Sequence, residues 1–296
     1  MVKGIIPAIV TPFKEEGEID YSALEKLLEF LIERQINGVF VSGTNGEGPL
    51  LSEEERKNLF RETVKLVNRR VPVIAQIGSI TTRDTISLGK KAIDVGVDAV
   101  AIVSPYYFRL DDDSLRIHFT EVAKALDPFP VYLYNLPTNT GNIIKPEIAK
   151  AIAEESSNLK GIKDTSEDLQ VLEDFISILP SDMDILVGTD GLIFPALVVG
   201  AKGAISALAN PLPELCVGIY EDFLAGDWEK ARSKQLFLNR IKAIIKQMQS
   251  ISVLKVLLKY RGISVGKTRP PLRMISPSQE KTLRELMEKI EQTYSL

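Results

Sequence analysis

The sequence predicts a (β/α)8 barrel over residues 1–225 and a C-terminal helical extension over residues 226–296 packed against it. Three observations carry this prediction. Eight short apolar runs recur before residue 211, rich in Val, Ile and Ala and only weakly alternating, as suits parallel strands buried on both faces. Amphipathic helical patterns separate them at steps of about 30 residues that shorten later, the size of a strand-helix-strand unit. The first run leads into Thr11-Pro12-Phe13-Lys14-Glu15-Glu16-Gly17, which is not the glycine-rich turn of an open dinucleotide-binding sheet.

The elements follow in order. Residues 4–12 form the first strand, and Leu24, Leu27, Leu28 and Leu31 then repeat at helical spacing until Asn37-Gly38 stops them. Residues 37–44 are the second strand, and Ser52 with Glu55 reads as a capping box opening the next helix. Residues 72–78 and 99–105 are the third and fourth strands, with a polar helical stretch over 114–124 after them. Residues 130–135 are the fifth strand, and Pro146 suits the first turn of a helix. Residues 159–164 are the sixth; Leu169, Leu172, Phe175, Ile176 and Leu179 then make one helical face, which Pro180 ends. Residues 184–190 and 203–210 complete the eight. Beyond them only helices are predicted, over 214–225, 228–249, 253–260 and 278–294. One of these finishes the eighth unit and the rest form the extension, with no Pro/Gly/Ser-rich linker to free it.

Composition narrows the function. The chain has 296 residues, 45% hydrophobic and 26% charged, enough to bury a large core. Its formal net charge of −4, with scattered Lys and Arg, gives no field for nucleic acid. One cysteine, Cys216, and one histidine, His118, can build neither a disulfide framework nor a Cys/His zinc site. Cys216 is expected in the core and His118 at a partly exposed helix position; no metal and no cofactor is expected. The N-terminus enters an apolar strand at once, without the pattern of a secretory leader, and no apolar run reaches membrane-spanning length. A cytoplasmic protein with small-molecule substrates is the expectation.

Barrel enzymes place their chemistry at the C-terminal ends of the strands. Those ends carry Thr11, Thr44-Asn45, Tyr106-Tyr107, Tyr134, Lys163-Asp164-Thr165, Thr189-Asp190 and Asn210. A lysine withdrawn from water is pushed toward the free amine, which attacks carbonyls, and a neighbouring phenol can shuttle the protons. Lys163 beside Tyr134 fits that chemistry. The glycine-rich turn Ser42-Gly43-Thr44-Asn45-Gly46-Glu47-Gly48 can aim successive N–H groups at an anion, yet lacks a P-loop ending. With Glu47 crowding it, a carboxylate suits it better than a phosphate. A plain strand-to-helix loop is the alternative there, as aromatic packing at the barrel mouth is for Tyr106 and Phe108.

At this point the chain resembles the pyruvate-dependent class I lyases that include dihydrodipicolinate synthase, N-acetylneuraminate lyase and 2-keto-3-deoxygluconate aldolase. The motifs Gly43-Thr44-Asn45-Gly46-Glu47-Gly48, Ser104-Pro105-Tyr106-Tyr107, Tyr134-Asn135-Leu136-Pro137, Gly161-Ile162-Lys163-Asp164-Thr165 and Gly203-Ala204-Ile205-Ser206 fall in that family's order, nearly end to end. The resemblance implies that Lys163 forms a Schiff base with pyruvate and that Tyr134 is the acid/base. Thr44 then links Tyr134 to Tyr107, which arrives from a neighbouring subunit. It further implies that backbone N–H groups of Thr44 and Asn45 hold the carboxylate, and that Ile205 and Thr165 line the pocket. A homotetramer built as a dimer of dimers is implied as well.

Two positions depart from the family. Asn45 stands where many relatives carry threonine, which leaves a backbone contact intact. Asn139 stands where dihydrodipicolinate synthases carry an arginine for the second substrate's carboxylate, and an amide cannot make that bidentate charged pair. Thr138 and Asn139 suit the hydroxyls of a polyhydroxylated aldehyde, so cleavage of a 2-keto-3-deoxy sugar acid is the first reading. Leu136 speaks against it, being apolar where keto-deoxy-gluconate aldolases of archaea often have tyrosine. Condensation of pyruvate with aspartate semialdehyde is the alternative; a non-catalytic keto-acid-binding barrel is a remote one.

Overall fold

The computed structural model describes residues 2–294, and its first 224 residues alternate strand with helix. The strands are β1 (Gly4–Pro7), β2 (Val39–Val41), β3 (Val73–Gln76), β4 (Ala99–Val103), β5 (Val131–Asn135), β6 (Leu159–Asp164), β7 (Asp184–Val187) and β8 (Gly203–Ser206). Between and after them lie α1 (Tyr21–Ile32), α2 (Glu53–Val67), α3 (Thr82–Asp94), α4 (Asp112–Leu126), α5 (Pro137–Thr140), α6 (Pro146–Glu155), α7 (Leu169–Ile178), α8 (Ile193–Val199) and α9 (Pro213–Leu224). The remaining helices, α10 (Trp228–Ile245), α11 (Ser250–Tyr260) and α12 (Pro277–Tyr294), lie after the last barrel helix.

All strand pairs are parallel, in the order β1-β8-β7-β6-β5-β4-β3-β2. The ring is completed where the Asn37 N–H donates to Ile5 O at 2.8 Å and the Ile9 N–H to Phe40 O at 3.0 Å. The protein is a (β/α)8 barrel with C-terminal helices, the architecture the apolar runs predict. The first strand is shorter than its run of 4–12: beyond Pro7 backbone bonds from Ala8 and Ile9 persist, but a side chain shares the pairing. Asn210 accepts from the Val10 N–H at 3.1 Å and donates to Ala8 O at 2.9 Å.

Strand parity divides the core into two layers. Outward residues such as Val39, Val41, Val131, Leu133 and Ile162 pack beneath the helices. Inward residues, among them Ile6, Phe40, Ile74, Tyr132, Tyr134, Leu186 and Ile205, fill the barrel. Alternating Cβ directions make this sorting, so every second residue of β5 and β6 points to the axis. At the floor, the Tyr132 hydroxyl and the Val2 N–H both donate to Asp184 Oδ2, at 2.7 and 2.6 Å.

Local signals hold where their geometry is local. Ser52 and Glu55 form the reciprocal capping box, and Pro146 opens α6 at its first turn. Cys216 is buried as expected. His118 is not partly exposed: it is 5% exposed, because α4 turns it toward α3, where Thr82 Oγ1 lies 2.9 Å from Nδ1. Burial drives its pKa down to about 4.

Candidate active site

Lys163 and Tyr134 are partners across the β5–β6 ladder, and Leu186 is the partner of Lys163 on β7. Parity therefore sends both side chains into the barrel. Lys163 is 4% exposed; its Nζ lies 3.9 Å from the Tyr134 ring centre and 4.5 Å from that of Phe40. Phe40 stands edge-on to Tyr134, with ring centres 5.8 Å apart. The amine thus rests on two aromatic faces, and no carboxylate pairs with it among the described residues. Ile205 completes the apolar wall from β8.

The glycine-rich turn brings Thr44 over this pair. Thr44 Oγ1 lies 3.3 Å from the Tyr134 hydroxyl, within reach of a proton exchange in either direction. The N–H groups of Thr44 and Asn45 meet no protein acceptor among the described residues, so the turn has donors to offer an anion. Two non-glycine residues hold its shape in the left-handed region, Ser42 at φ 60° and Glu47 at φ 56°. Beneath it the buried Arg56 guanidinium donates to Ser42 Oγ at 3.0 Å, to Gln76 O at 2.5 Å and to Gly78 O at 3.3 Å. Burial lowers its pKa to about 10. Glu47 corrects the sequence expectation: it does not crowd the turn's open side but runs back into the protein, where Lys255 Nζ is 2.8 Å from Oε1.

The end of β6 is held by a second small network. The buried Asp164 carboxylate accepts from Asn135 Nδ2 at 2.7 Å and from the Ser166 hydroxyl at 2.6 Å. Desolvation raises its pKa, and these hydrogen bonds oppose the rise. This contact locks the tips of β5 and β6, one residue beyond Tyr134 and Lys163. Thr165 follows; its buried hydroxyl has no partner in the protein among the described residues.

Tyr107 is not brought to Thr44 within its own chain. It sits beyond β4 at φ 83°, 84% exposed, its ring edge-on to Phe108, itself 63% exposed. The loop that carries them is pinned by Asn142, which donates to Pro105 O at 2.7 Å and Phe108 O at 2.8 Å and accepts from the Leu110 N–H at 2.9 Å. Thr138 and Asn139 are exposed on α5, with the Thr138 hydroxyl donating to Asn139 Oδ1 at 3.2 Å. Arg109 lies near them, donating to Gly141 O.

Several contributors escape a sequence reading. Phe40 is one apolar residue among three, and only strand parity marks it as inward. Gly188 shows why position matters: a Cβ there would lie 2.0 Å from Thr165 Oγ1 and 3.0 Å from Lys163 Cε, so the bare backbone gives the lysine its room. A cavity of about 480 Å³ opens between the ends of the last strands and the C-terminal helices, lined by Glu167, Asp190, Leu208, Lys242 and Leu254 among others. Lys242 reaches over it from α10 and donates to Thr189 Oγ1 at 2.9 Å. Among the described residues, no three His, Cys, Asp or Glu side chains group as metal ligands, and no helix is long and apolar enough to cross a membrane.

The arrangement can form a Schiff base with a small keto acid. Comparison with known proteins points the same way. A family model described as "Dihydrodipicolinate synthetase family" matches residues 1–292. The chain is 38% identical over 291 residues to a 4-hydroxy-tetrahydrodipicolinate synthase of Methanopyrus kandleri, covering 98% of this chain and 96% of that one. An uncharacterized DapA-like lyase of Halobacterium salinarum is 38% identical over 270 residues, 91% of this chain and 88% of the relative. Among solved structures, YagE from E. coli K12, a prophage protein of the dihydrodipicolinic acid synthase family in complex with pyruvate, superposes with a TM-score of 0.94 at 31% identity, covering 98% of both chains.

Proposed function

The chain belongs to the dihydrodipicolinate synthetase family, a family of class I aldolase-type enzymes, and on that basis we propose that it condenses pyruvate with aspartate semialdehyde. The observation that carries the chemistry is the buried Lys163 amine set on the Tyr134 ring, with Thr44 Oγ1 3.3 Å from the phenol. The relatives' names favour this second substrate over the sugar acid that the sequence reading puts first.

The steps follow from these groups. The amine of Lys163 attacks the pyruvate ketone while the Tyr134 hydroxyl gives the new oxygen a proton. Tyr134 recovers a proton through Thr44, and the carbinolamine loses water to leave a protonated imine. That imine draws electrons, so the adjacent methyl releases a proton and becomes an enamine carbon. The enamine forms a carbon–carbon bond to the aldehyde, whose oxygen takes a proton. Free N–H groups of Thr44 and Asn45 hold the pyruvate carboxylate, and Ile205 and Thr165 line its pocket. Fixing the keto acid over the amine supplies much of the rate, since orientation removes the entropy of encounter. Tyr107 of the partner subunit extends the relay from Thr44, which suits its exposure in the single chain. The assembly proposed is a homotetramer, acting in the cytoplasm.

A second reading rests on one observation. Thr138 and Asn139 present neutral hydrogen-bonding groups where the family's synthases hold a cation, which favours a 2-keto-3-deoxy sugar acid. Two assays separate them. Borohydride added with pyruvate should fix a three-carbon adduct on Lys163, seen by peptide mass spectrometry; an unmodified lysine refutes any Schiff-base reading. Consumption of aspartate semialdehyde is then compared with pyruvate release from 2-keto-3-deoxygluconate. Turnover of the sugar acid alone would make the protein an aldolase and not a synthase.

A further inference from the structure

We propose that the C-terminal extension belongs to the pyruvate site: Lys255, acting through Glu47, is a positioning residue that fixes the glycine-rich turn so that its N–H groups and Thr44 face Lys163. The inference rests on the function proposed above and deepens it.

Lys255 projects from α11 and Glu47 from the turn, and both side chains are 0% exposed at a separation of 2.8 Å. The ammonium donates to Thr11 O at 2.9 Å and to Lys267 O at 2.8 Å, and Glu47 Oε1 lies 2.8 Å away as its ion-pair partner. Thr11 in turn donates its hydroxyl to Gly46 O at 2.6 Å, inside the same turn. Glu47 Oε2 accepts from the Arg269 N–H at 2.8 Å. The Arg269 guanidinium continues outward to Glu55, to Gly17 O at 2.7 Å and to Leu50 O at 3.2 Å. Two cations of the extension thus hold the segment from Glu47 to Glu55 at both ends.

Glu47 lies three positions after Thr44, and the Glu47 N–H closes the turn by donating to Thr44 O at 3.0 Å. Glu47 keeps a left-handed φ of 56°, a conformation that a side chain resists unless something holds it. The buried carboxylate is that hold. Packing alone does not require an ion pair at this position. The rest of α11 buries Ile251, Val253, Leu254, Leu257 and Leu258, and an apolar pair would serve stability as well. A buried pair that fixes one geometry is useful where the geometry itself is needed.

The test uses the full chain and titrates pyruvate against borohydride trapping at Lys163, with the melting temperature followed in parallel. Lys255→Met should raise the pyruvate concentration for half-trapping by about tenfold or more, leaving maximal trapping unchanged, because a shifted donor weakens orientation without touching the amine. Lys255→Arg, which keeps charge and donors, should recover most of it. Should Lys255→Met fail to fold, the double variant Glu47→Gln/Lys255→Met removes both charges and should fold, with the same rise. A folded variant with wild-type half-trapping overturns the positioning role. An untrapped wild-type protein instead overturns the Schiff-base function, and this proposal with it.

Discussion

A methyl group at position 188 would lie 2.0 Å from the Thr165 hydroxyl and 3.0 Å from the Lys163 arm. The first is too short to persist and the second is tighter than an ordinary contact, so Gly188→Ala must displace the threonine hydroxyl and crowd the lysine. The expected result is a loss of Lys163 trapping by about 100-fold in rate at a stability cost of about 1–3 kcal/mol, the range for overpacking. Trapping at wild-type rate in a folded variant would show that the lysine has room to spare. Position 139 offers the opposite experiment. Asn139→Arg restores a planar cation on α5 and should raise kcat/KM for aspartate semialdehyde by about tenfold, as a charged hydrogen bond to the second carboxylate would. If the arginine variant gains nothing, that carboxylate is bound elsewhere at the mouth, where Lys242 already lines the cavity.

The element that decides the proposed proton relay is the loop between β4 and α4. Asn142 ties its backbone at three points, so the loop is rigid although its aromatic tips are bare. A rigid loop presenting Tyr107 and Phe108 to solvent is built to meet something, and the proposed tetramer supplies a second copy. Tyr107→Phe keeps the ring that packs and removes only the hydroxyl. Turnover should fall by about 100-fold, the usual contribution of a proton-transfer group, while pyruvate trapping persists. Sedimentation of the variant should still give a mass near four times that of the 296-residue chain. Full turnover by a monomeric form would exclude a relay between subunits.

Across the whole molecule, acid should act through groups other than the lysine and phenol of the site. His118 has a folded pKa of about 4, below its ordinary 6.5, because it is buried neutral. The unfolded chain binds this proton at the higher pH. The contribution is therefore full above about 6.5 and is lost as pH falls toward 4, about 3 kcal/mol over the window. Glu55, held at about 2 chiefly by its hydrogen bond from Arg269, adds a loss that starts below its ordinary value of 4.5. Melting temperatures taken from pH 7 to 4.5 should fall, and His118→Asn should flatten the decline. An unchanged slope would assign it to other groups.

Much of this was legible in one dimension. The eight runs, the capping box and Pro146 depend on neighbours within a turn or a strand. The chain order of Tyr134 and Lys163 puts both at strand tips, where barrel chemistry sits. The short helix α5 escaped, since Pro137–Thr140 is too brief to show a period. His118 was misplaced because a single polar residue on an amphipathic helix does not reveal which neighbour covers it.

Strand periodicity and motif order are properties of adjacent residues, so the linear chain was enough to specify the barrel, the candidate lysine and phenol, and the family. Folding had to occur before Phe40 could lie beside the amine, Gly188 leave it space, and Glu47 turn inward to Lys255. Each of these is a contact between segments far apart in the chain, as when the Arg269 N–H reaches Glu47 across 222 positions. Such contacts are fixed by how the strands close and the helices pack, and no local pattern encodes that distance.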